Sequence, residues 1–307
     1  MIVLTNHEGG VGIDTTARDL AAGVGALDAV EAGVRMVEDD PSIRSVGYNS
    51  WPNILGQVEL DAAVMDGATL RSGAIGGLIG FKNPVSVARA VMERLPHEIL
   101  VGAGAARFAS EIGAETAENL SEASRDTWQR GLKEWLSPRE RQAFPDIALT
   151  ALCQRATDPE YQKDTTVFLA IDGAGDMASA VSTSGWAWKY PGRLGDSPII
   201  GAGSYADGAY GACACTHTGE MTIRAATSRS VVLYLKMGLT LEDALYEAGR
   251  DLKRLRGGLL RGVAIHAIDA KGAHRVASFG EAKGVEYWVW EDGMTHPERR
   301  VAIHLDV

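Results

Sequence analysis

The chain predicts an α+β fold: a single layered domain, residues 1–307, containing antiparallel sheets. Three observations carry this. Strand-like apolar segments stand at both ends, at Ile2–Thr5 and Val285–Trp290, while amphipathic helical segments are grouped between them. The second half reads as hairpins, in which the turns Asp172–Gly175 and Asp269–Gly272 each separate two apolar runs. Finally, 36 glycines stand against 10 prolines, a balance that suits tight turns and close backbone approaches rather than disorder. A chain of 307 residues is long enough to bury a sizeable core in one such domain.

In chain order, Ile2–Thr5 is expected as a short buried strand, and residues 6–12 as a glycine-rich loop. Asp14 or Thr15 caps a helix. Ala26–Glu38 has apolar residues at Leu27, Val30, Val34 and Val37, the spacing of a one-sided helix. The acids Glu38, Asp39 and Asp40 before Pro41 are expected on a solvated surface. Ser45–Asn53 is a turn-rich loop, Val58–Met65 an alternating strand, and Asp66-Gly67 a turn. Pro84 lies in the first turn of the next helix, with Val87, Ala88, Ala90, Val91 and Met92 inward. Glu98–Val101 is a strand. Helices follow at Ala105–Ile112 and Glu122–Leu136, then a loop-like stretch from Ser137 to Lys163 with a short helix near Ile147–Arg155. The hairpin Thr165–Ile171 with Met177–Thr183 comes next, and Tyr210–Arg224 supplies further strand. Val231–Lys236 and Leu241–Leu255 are helices, the second with Thr240 as N-cap and Asp243 three residues on. Gly262–Ile268, Arg275–Phe279 and Val285–Trp290 complete the strands.

The net charge of -10, with no Lys/Arg stripe to offset it, argues against nucleic-acid binding and for a small-molecule or peptide substrate. Three cysteines do not make a disulfide framework, which points to a reducing compartment. No basic and apolar leader is evident, nor any apolar run near the ~18 residues a membrane span requires. A cytoplasmic protein without membrane attachment is expected.

Several motifs invite a functional reading that their chemistry does not support. The loop at residues 6–12 lacks the Lys-Ser/Thr ending of a phosphate loop. In His97–Arg107 a strand runs into Gly102-Ala103-Gly104, but Arg107 stands where a dinucleotide fold needs its third glycine, so a strand-to-helix turn accounts for it better. Cys213, Cys215 and His217 alternate along one strand, where same-face residues diverge poorly for tetrahedral coordination, and no fourth ligand is evident. No metal site is expected. A Gly-x-Ser-x-Gly elbow is absent.

Asp164-Thr165-Thr166 is different, because a long polar loop there gives way abruptly to the apolar run Val167–Ile171. A threonine hydroxyl is a poor nucleophile without an adjacent base. Cutting the Asp164–Thr165 bond would free the α-amine of Thr165 to be that base. Strand alternation sends Thr166 to the opposite face from Thr165. Thr183 ends the strand paired with the one Thr165 begins. In the loop Gly192–Pro198, Arg193 and Asp196 lie three residues apart, a fork-shaped cation and a carboxylate suited to an α-amino acid head group; on its own that pair reads more readily as a surface salt bridge in a turn, and its combination with the threonines reverses the preference.

These residues, with Gly201–Asp207, Thr216–Glu220 and, upstream, Leu60–Gly67, Gly73–Gly76, Lys82–Pro84 and Leu100–Ala106, resemble the glycosylasparaginases and plant-type asparaginases, which are N-terminal nucleophile hydrolases. The likeness spans about Leu27 to Phe279, and Gly192–Pro198 tilts it towards the glycosylasparaginase branch. The resemblance implies a four-layer αββα sandwich made as a precursor that cleaves itself into an α chain, 1–164, and a β chain, 165–307. It implies Thr165 as nucleophile, Thr183 as its orienting partner, and Thr216 with the backbone N–H of residue 217 for the oxyanion. Arg193, Asp196 and Gly219 would hold the aspartyl head group. The spacing within the family favours Thr165 over Thr166. The implied substrate is a β-aspartyl amide: asparagine, N4-substituted asparagine or an isoaspartyl peptide. No cofactor is needed, and the family commonly forms dimers of processed αβ units; a member that never processes and only binds a ligand is the alternative. Departures from the family pattern mark candidate specificity residues. Val167 and His217 stand where glycine is usual, Asn49 and Trp51 lie in a loop where glycines are usual, and His7 lies in the segment that usually carries a tryptophan.

Overall fold

The computed structural model describes residues 1–156 and 165–307; the proposed cleavage residue Asp164 lies outside the described residues. The elements are β1 Ile2–Asn6, α1 Ile13–Ala21, α2 Ala26–Asp39, β2 Leu60–Asp66, β3 Ser72–Leu78, α3 Pro84–Arg94, β4 Ile99–Val101, α4 Gly102–Glu111, α5 Glu122–Trp135, α6 Pro138–Ala143 and α7 Leu149–Ala156. They continue with β5 Thr166–Ile171, β6 Met177–Thr183, β7 Ser204–Asp207, β8 Gly211–His217, α8 Gly219–Ala225, α9 Thr227–Lys236, α10 Leu241–Lys253, β9 Gly262–Asp269, β10 His274–Gly280, β11 Glu286–Glu291, β12 Glu298–Val301 and β13 Ile303–His304. Helices alternate irregularly with mainly antiparallel strands, as an α+β chain should.

Two sheets form. The larger has the order β12-β11-β1-β5-β6-β2-β3-β4, the smaller β13-β10-β9-β8-β7. Only β3 with β4 and β10 with β13 pair in parallel among the described strands. β1 lies between β11 and β5, antiparallel to both, so the first and last thirds of the chain meet in one sheet.

Strand alternation sorts the core. On β5, Phe168 and Ala170 join Val30, Val34, Val37 and Ala180 in an apolar cluster on the helix-covered face. Val167, Leu169 and Ile171 point the other way, into a cluster shared by residues of both sheets, among them Leu4, Val181, Ala212, Ala214 and Ile268. A third cluster joins Cys213, Cys215 and Ile265 of the smaller sheet to Val231, Leu245 and Leu252 of α9 and α10. Each large side chain buried this way contributes about 2 kcal/mol relative to exposure. A satellite cluster rich in tryptophan gathers α5 and α7 around Trp51, Trp135 and Trp188.

The structure corrects three expectations. The segment Tyr210–Arg224 is not one strand: β8 stops at His217 and α8 begins at Gly219, because His217 takes φ +82 and turns the chain out of the sheet. The loop-like stretch after Ser137 contains α6, opened by a capping box in which the Ser137 hydroxyl accepts the Glu140 N–H and the Glu140 carboxylate accepts the Ser137 N–H. Glu38 is not on a solvated surface; it is 1% exposed, accepting the Val85 N–H at 3.1 Å.

Candidate active site

Asn6, at the end of β1, prepares the start of β5. Its side-chain N–H donates to the Thr165 carbonyl at 2.8 Å, and its oxygen accepts the Val167 N–H at 3.1 Å. Thr165 precedes the first ladder residue, and its parity puts it with Val167 and Leu169, facing the second sheet. Thr166 faces the other way. Since Thr166 pairs with Ser182, the next step of the antiparallel register sets Thr165 across from Thr183. The Thr183 hydroxyl accepts the Gly185 N–H at 3.0 Å and donates to the Ser45 carbonyl at 3.4 Å, so its rotamer is held from both sides. Ser197 Oγ stands 3.5 Å from Thr165 Oγ1.

Thr165 and Thr183 open into one cleft with Trp186, Arg193, Asp196 and His217. The loop carrying Arg193 and Asp196 is held from beneath by two carboxylates: Glu59 accepts the Gly192 N–H at 2.8 Å, and Asp61 accepts both the Gly195 N–H at 3.4 Å and the Gly77 N–H at 2.8 Å. Lys189 lies buried 3.8 Å from Glu59, its ammonium pKa lowered by burial against the pull of Asp61 and Glu59. The Arg193 guanidinium is clamped by Glu220, Nε and Nη2 donating at 3.0 and 2.8 Å, and lies 4.3 Å over the Trp186 ring.

Asp196 is buried, and burial pushes its carboxyl up to about 6, opposed by the Thr222 hydroxyl that donates to it at 2.6 Å. Gly219 packs against it so closely that a Cβ there would sit 2.7 Å from Asp196 Oδ1. Thr216 shares the face of Ala212 and Ala214, directed between the sheets, and its Oγ1 is 2.9 Å from His217 Nδ1. The cleft thus assembles a hydroxyl at a strand start, a second hydroxyl from Thr183, a cation and a carboxylate, the components for gripping a zwitterionic head group and attacking a nearby carbonyl.

Of the five candidate specificity residues, only His217 lines this cleft. Val167 is fully buried in the cluster shared by the sheets. Asn49 takes φ +64 and binds the Pro41 carbonyl and the hydroxyls of Ser121 and Ser124, fastening its loop to the start of α5. Trp51 packs 5.7 Å from Trp188 with the Arg44 guanidinium 3.6 Å over it. His7 is exposed, its Nδ1 3.5 Å from Glu286. Asn6, Trp186 and Thr222 were absent from the sequence-based site. Asn6 could have been found from its place where the first strand ends in the glycine-rich loop; the contacts of Trp186 and Thr222 are tertiary and leave no local signal. Cys213 and Cys215 are buried towards α9, away from Thr216, and no cluster of three metal-ligating side chains occurs among the described residues.

A family model described as asparaginase matches residues 12–294. The chain belongs to the asparaginase family. It is 38% identical over 285 residues to an N(4)-(β-N-acetylglucosaminyl)-L-asparaginase of Elizabethkingia miricola, covering 89% of this chain and 77% of that protein. It is 36% identical to a plant-type L-asparaginase of Thermococcus kodakarensis, covering 92% and 89%. The isoaspartyl peptidase/L-asparaginase of Mus musculus is 36% identical over 240 residues, covering 78% and 69%. In this asparaginase-family chain the match takes in every residue of the cleft and all the strands of both sheets except β1, β12 and β13, and no helix among the described residues is long and apolar enough to cross a membrane.

Proposed function

We propose that this asparaginase-family protein is a self-processing threonine amidohydrolase that cleaves the β-amide of asparagine or of an N4-substituted asparagine. One observation carries the reading: Thr165 faces the cleft that holds Arg193 and Asp196, with Thr183 across from it. Cleavage between Asp164 and Thr165, giving an α chain of 1–164 and a β chain of 165–307, exposes an α-amine with a reference pKa near ~8. That amine takes the Thr165 hydroxyl proton as Oγ attacks the β-carbonyl. The tetrahedral oxygen is held by Thr216 and the N–H of His217. The leaving nitrogen collects the proton from the α-ammonium, and the aspartyl ester on Thr165 is then hydrolysed by water. Arg193 binds the substrate α-carboxylate and Asp196 its ammonium, with Gly219 leaving room for both. The helix-covered faces and the apolar cluster shared by the sheets support a four-layer αββα arrangement, and the processed units are expected to pair as a cytoplasmic dimer.

Intact-mass analysis tests the reading. Wild-type protein should resolve into two chains, the second beginning Thr165-Thr166-Val167, and hydrolyse β-aspartyl amides. Thr165→Ala should stay whole and lose at least about 10³-fold in activity, while Thr165→Ser keeps both properties. A folded wild-type chain that stays whole would remove the base and leave a ligand-binding protein. The identity to an N(4)-(β-N-acetylglucosaminyl)-L-asparaginase favours glycosylasparagine as substrate, and parallel turnover of asparagine and a β-aspartyl dipeptide discriminates the isoaspartyl peptidase alternative.

A further inference from the structure

His217 carries a side chain at φ +82, a backbone region that a residue with a Cβ enters only when its surroundings hold it there. What it gains is visible: Nδ1 sits 2.9 Å from Oγ1 of Thr216, and the ring lines the same cleft as Thr165 and Asp196. A hydroxyl and a ring nitrogen can share one proton in two ways. If Thr216 donates to Nδ1, its only proton is directed away from the cleft and its oxygen offers the substrate lone pairs. If Nδ1–H donates to Oγ1, the Thr216 proton is left to point at the substrate. The second polarity makes a relay, Nδ1–H to Oγ–H to tetrahedral oxygen, in which each bond polarises the next as negative charge develops.

We propose that His217 is a positioning residue which donates through Nδ1 to Thr216 and so aims the threonine proton at the oxyanion. The inference rests on the amidohydrolase reading of the cleft, in which the His217 backbone N–H meets the oxyanion directly, and adds to it a His217 side chain that acts through Thr216 rather than on the substrate. Its effect is confined to the transition state, since the carbonyl oxygen of bound substrate carries little of the charge the relay stabilises.

Two near-isosteric variants separate the polarities. In His217→Asn an amide N–H can take the place of Nδ1–H, and asparagine tolerates a positive φ; in His217→Asp only an acceptor can stand there. With asparagine or a β-aspartyl dipeptide, His217→Asn should keep kcat within about threefold of wild type. His217→Asp should lose on the order of 100-fold, and His217→Gly about tenfold, all with KM changed little. His217→Gly should melt no lower than wild type, since glycine accepts φ +82 without strain, so its lost rate would not reflect lost structure. A residue that merely shapes the cleft would move KM and leave kcat. Asp and Asn variants of equal kcat, or a glycine variant with wild-type kcat, would overturn the proposal. Independently of turnover, ¹⁵N chemical shifts of the labelled imidazole between pH 7 and 8 should show Nδ1 bearing the proton, and Nε2–H as the sole neutral tautomer would refute it. A protein that hydrolyses no β-aspartyl amide would sink the proposed function, while the tautomer measurement still decides the direction of the hydrogen bond.

Discussion

Asp196 holds its proton more firmly than an exposed aspartate, because a carboxylate packed under Gly219 and Thr222 has lost its water. Its working form is the ionised one, since only a carboxylate pairs with a substrate ammonium. With a pKa of about 6, the competent fraction falls as pH drops below that value, so KM should rise roughly tenfold per pH unit beneath about 6. The check is a KM profile from pH 4.5 to 8, in which Asp196→Asn should raise KM throughout and abolish the bend. At this scale the sequence was legible where chemistry is encoded by residue type and order: Thr165, Thr183, Arg193 and Asp196 line one cleft, and Thr216 bonds to His217, which lines it too. It was illegible where burial or backbone sign decides. Val167 looks like a pocket residue because it stands two positions after Thr165 where glycine is usual, yet its side chain fills the core shared by the sheets. His217 is expected at the pocket and does line the cleft, but alternation with Cys213 and Cys215 does not convey the positive φ with which it gets there.

Helix α2 shows how one side chain couples elements distant in sequence. Asp172, in the turn between β5 and β6, accepts the Ala26 N–H at 2.9 Å through one oxygen, and the Ala174 and Asp176 N–H groups at 2.9 and 3.0 Å through the other. It satisfies an orphan donor at the start of α2, places negative charge at that end of the helix dipole, and shapes the hairpin that begins beside Thr165. Asp172→Ala should therefore destabilise by about 1–3 kcal/mol. The change would appear as a lower urea midpoint with unchanged slope, measured in a Thr165→Ala background so that both proteins are single chains. Asp172→Asn, which keeps an acceptor for the turn, should fall between. The hairpin and the apolar stripe of α2 were readable from period and turn residues. The cap was not, since Ala26 and Asp172 are 146 residues apart. β3 escaped notice for a related reason: Ser72–Leu78 contains three glycines and lacks alternation, and its strand character comes from β2 and β4 on either side.

For the whole molecule, the buried acid Glu38 sets a direction for stability against pH. Sequence places it first in a run of three acids, which reads as surface; in the fold it joins three parts of the chain. Its carboxyl accepts the Val85 N–H at the start of α3, its backbone carbonyl accepts the Tyr48 N–H at 2.9 Å, and it belongs itself to α2. Burial raises its pKa from 4.5 to about 8, so the native protein keeps it protonated where the unfolded chain has ionised it. Between those values the native state binds more protons, and stability falls as pH rises, on the order of 1 kcal/mol per unit, levelling off above about 8. Other buried groups pull the opposite way. His266, held neutral with a pKa near 3 by burial, gains stability as pH rises towards its ordinary 6.5, and Lys189, lowered by burial, does so further towards 10.5. A wild-type curve alone would mix these contributions, whereas comparison with Glu38→Gln cancels those of His266 and Lys189. The variant keeps an acceptor for Val85 and never ionises, so the stability difference, variant minus wild type, should grow steadily from pH 5 to 8 and plateau above it. A difference that stays flat across that window would mean that Glu38 titrates in the native protein as it does in the unfolded chain, and that the junction of α2, α3 and the loop before β2 tolerates a charge.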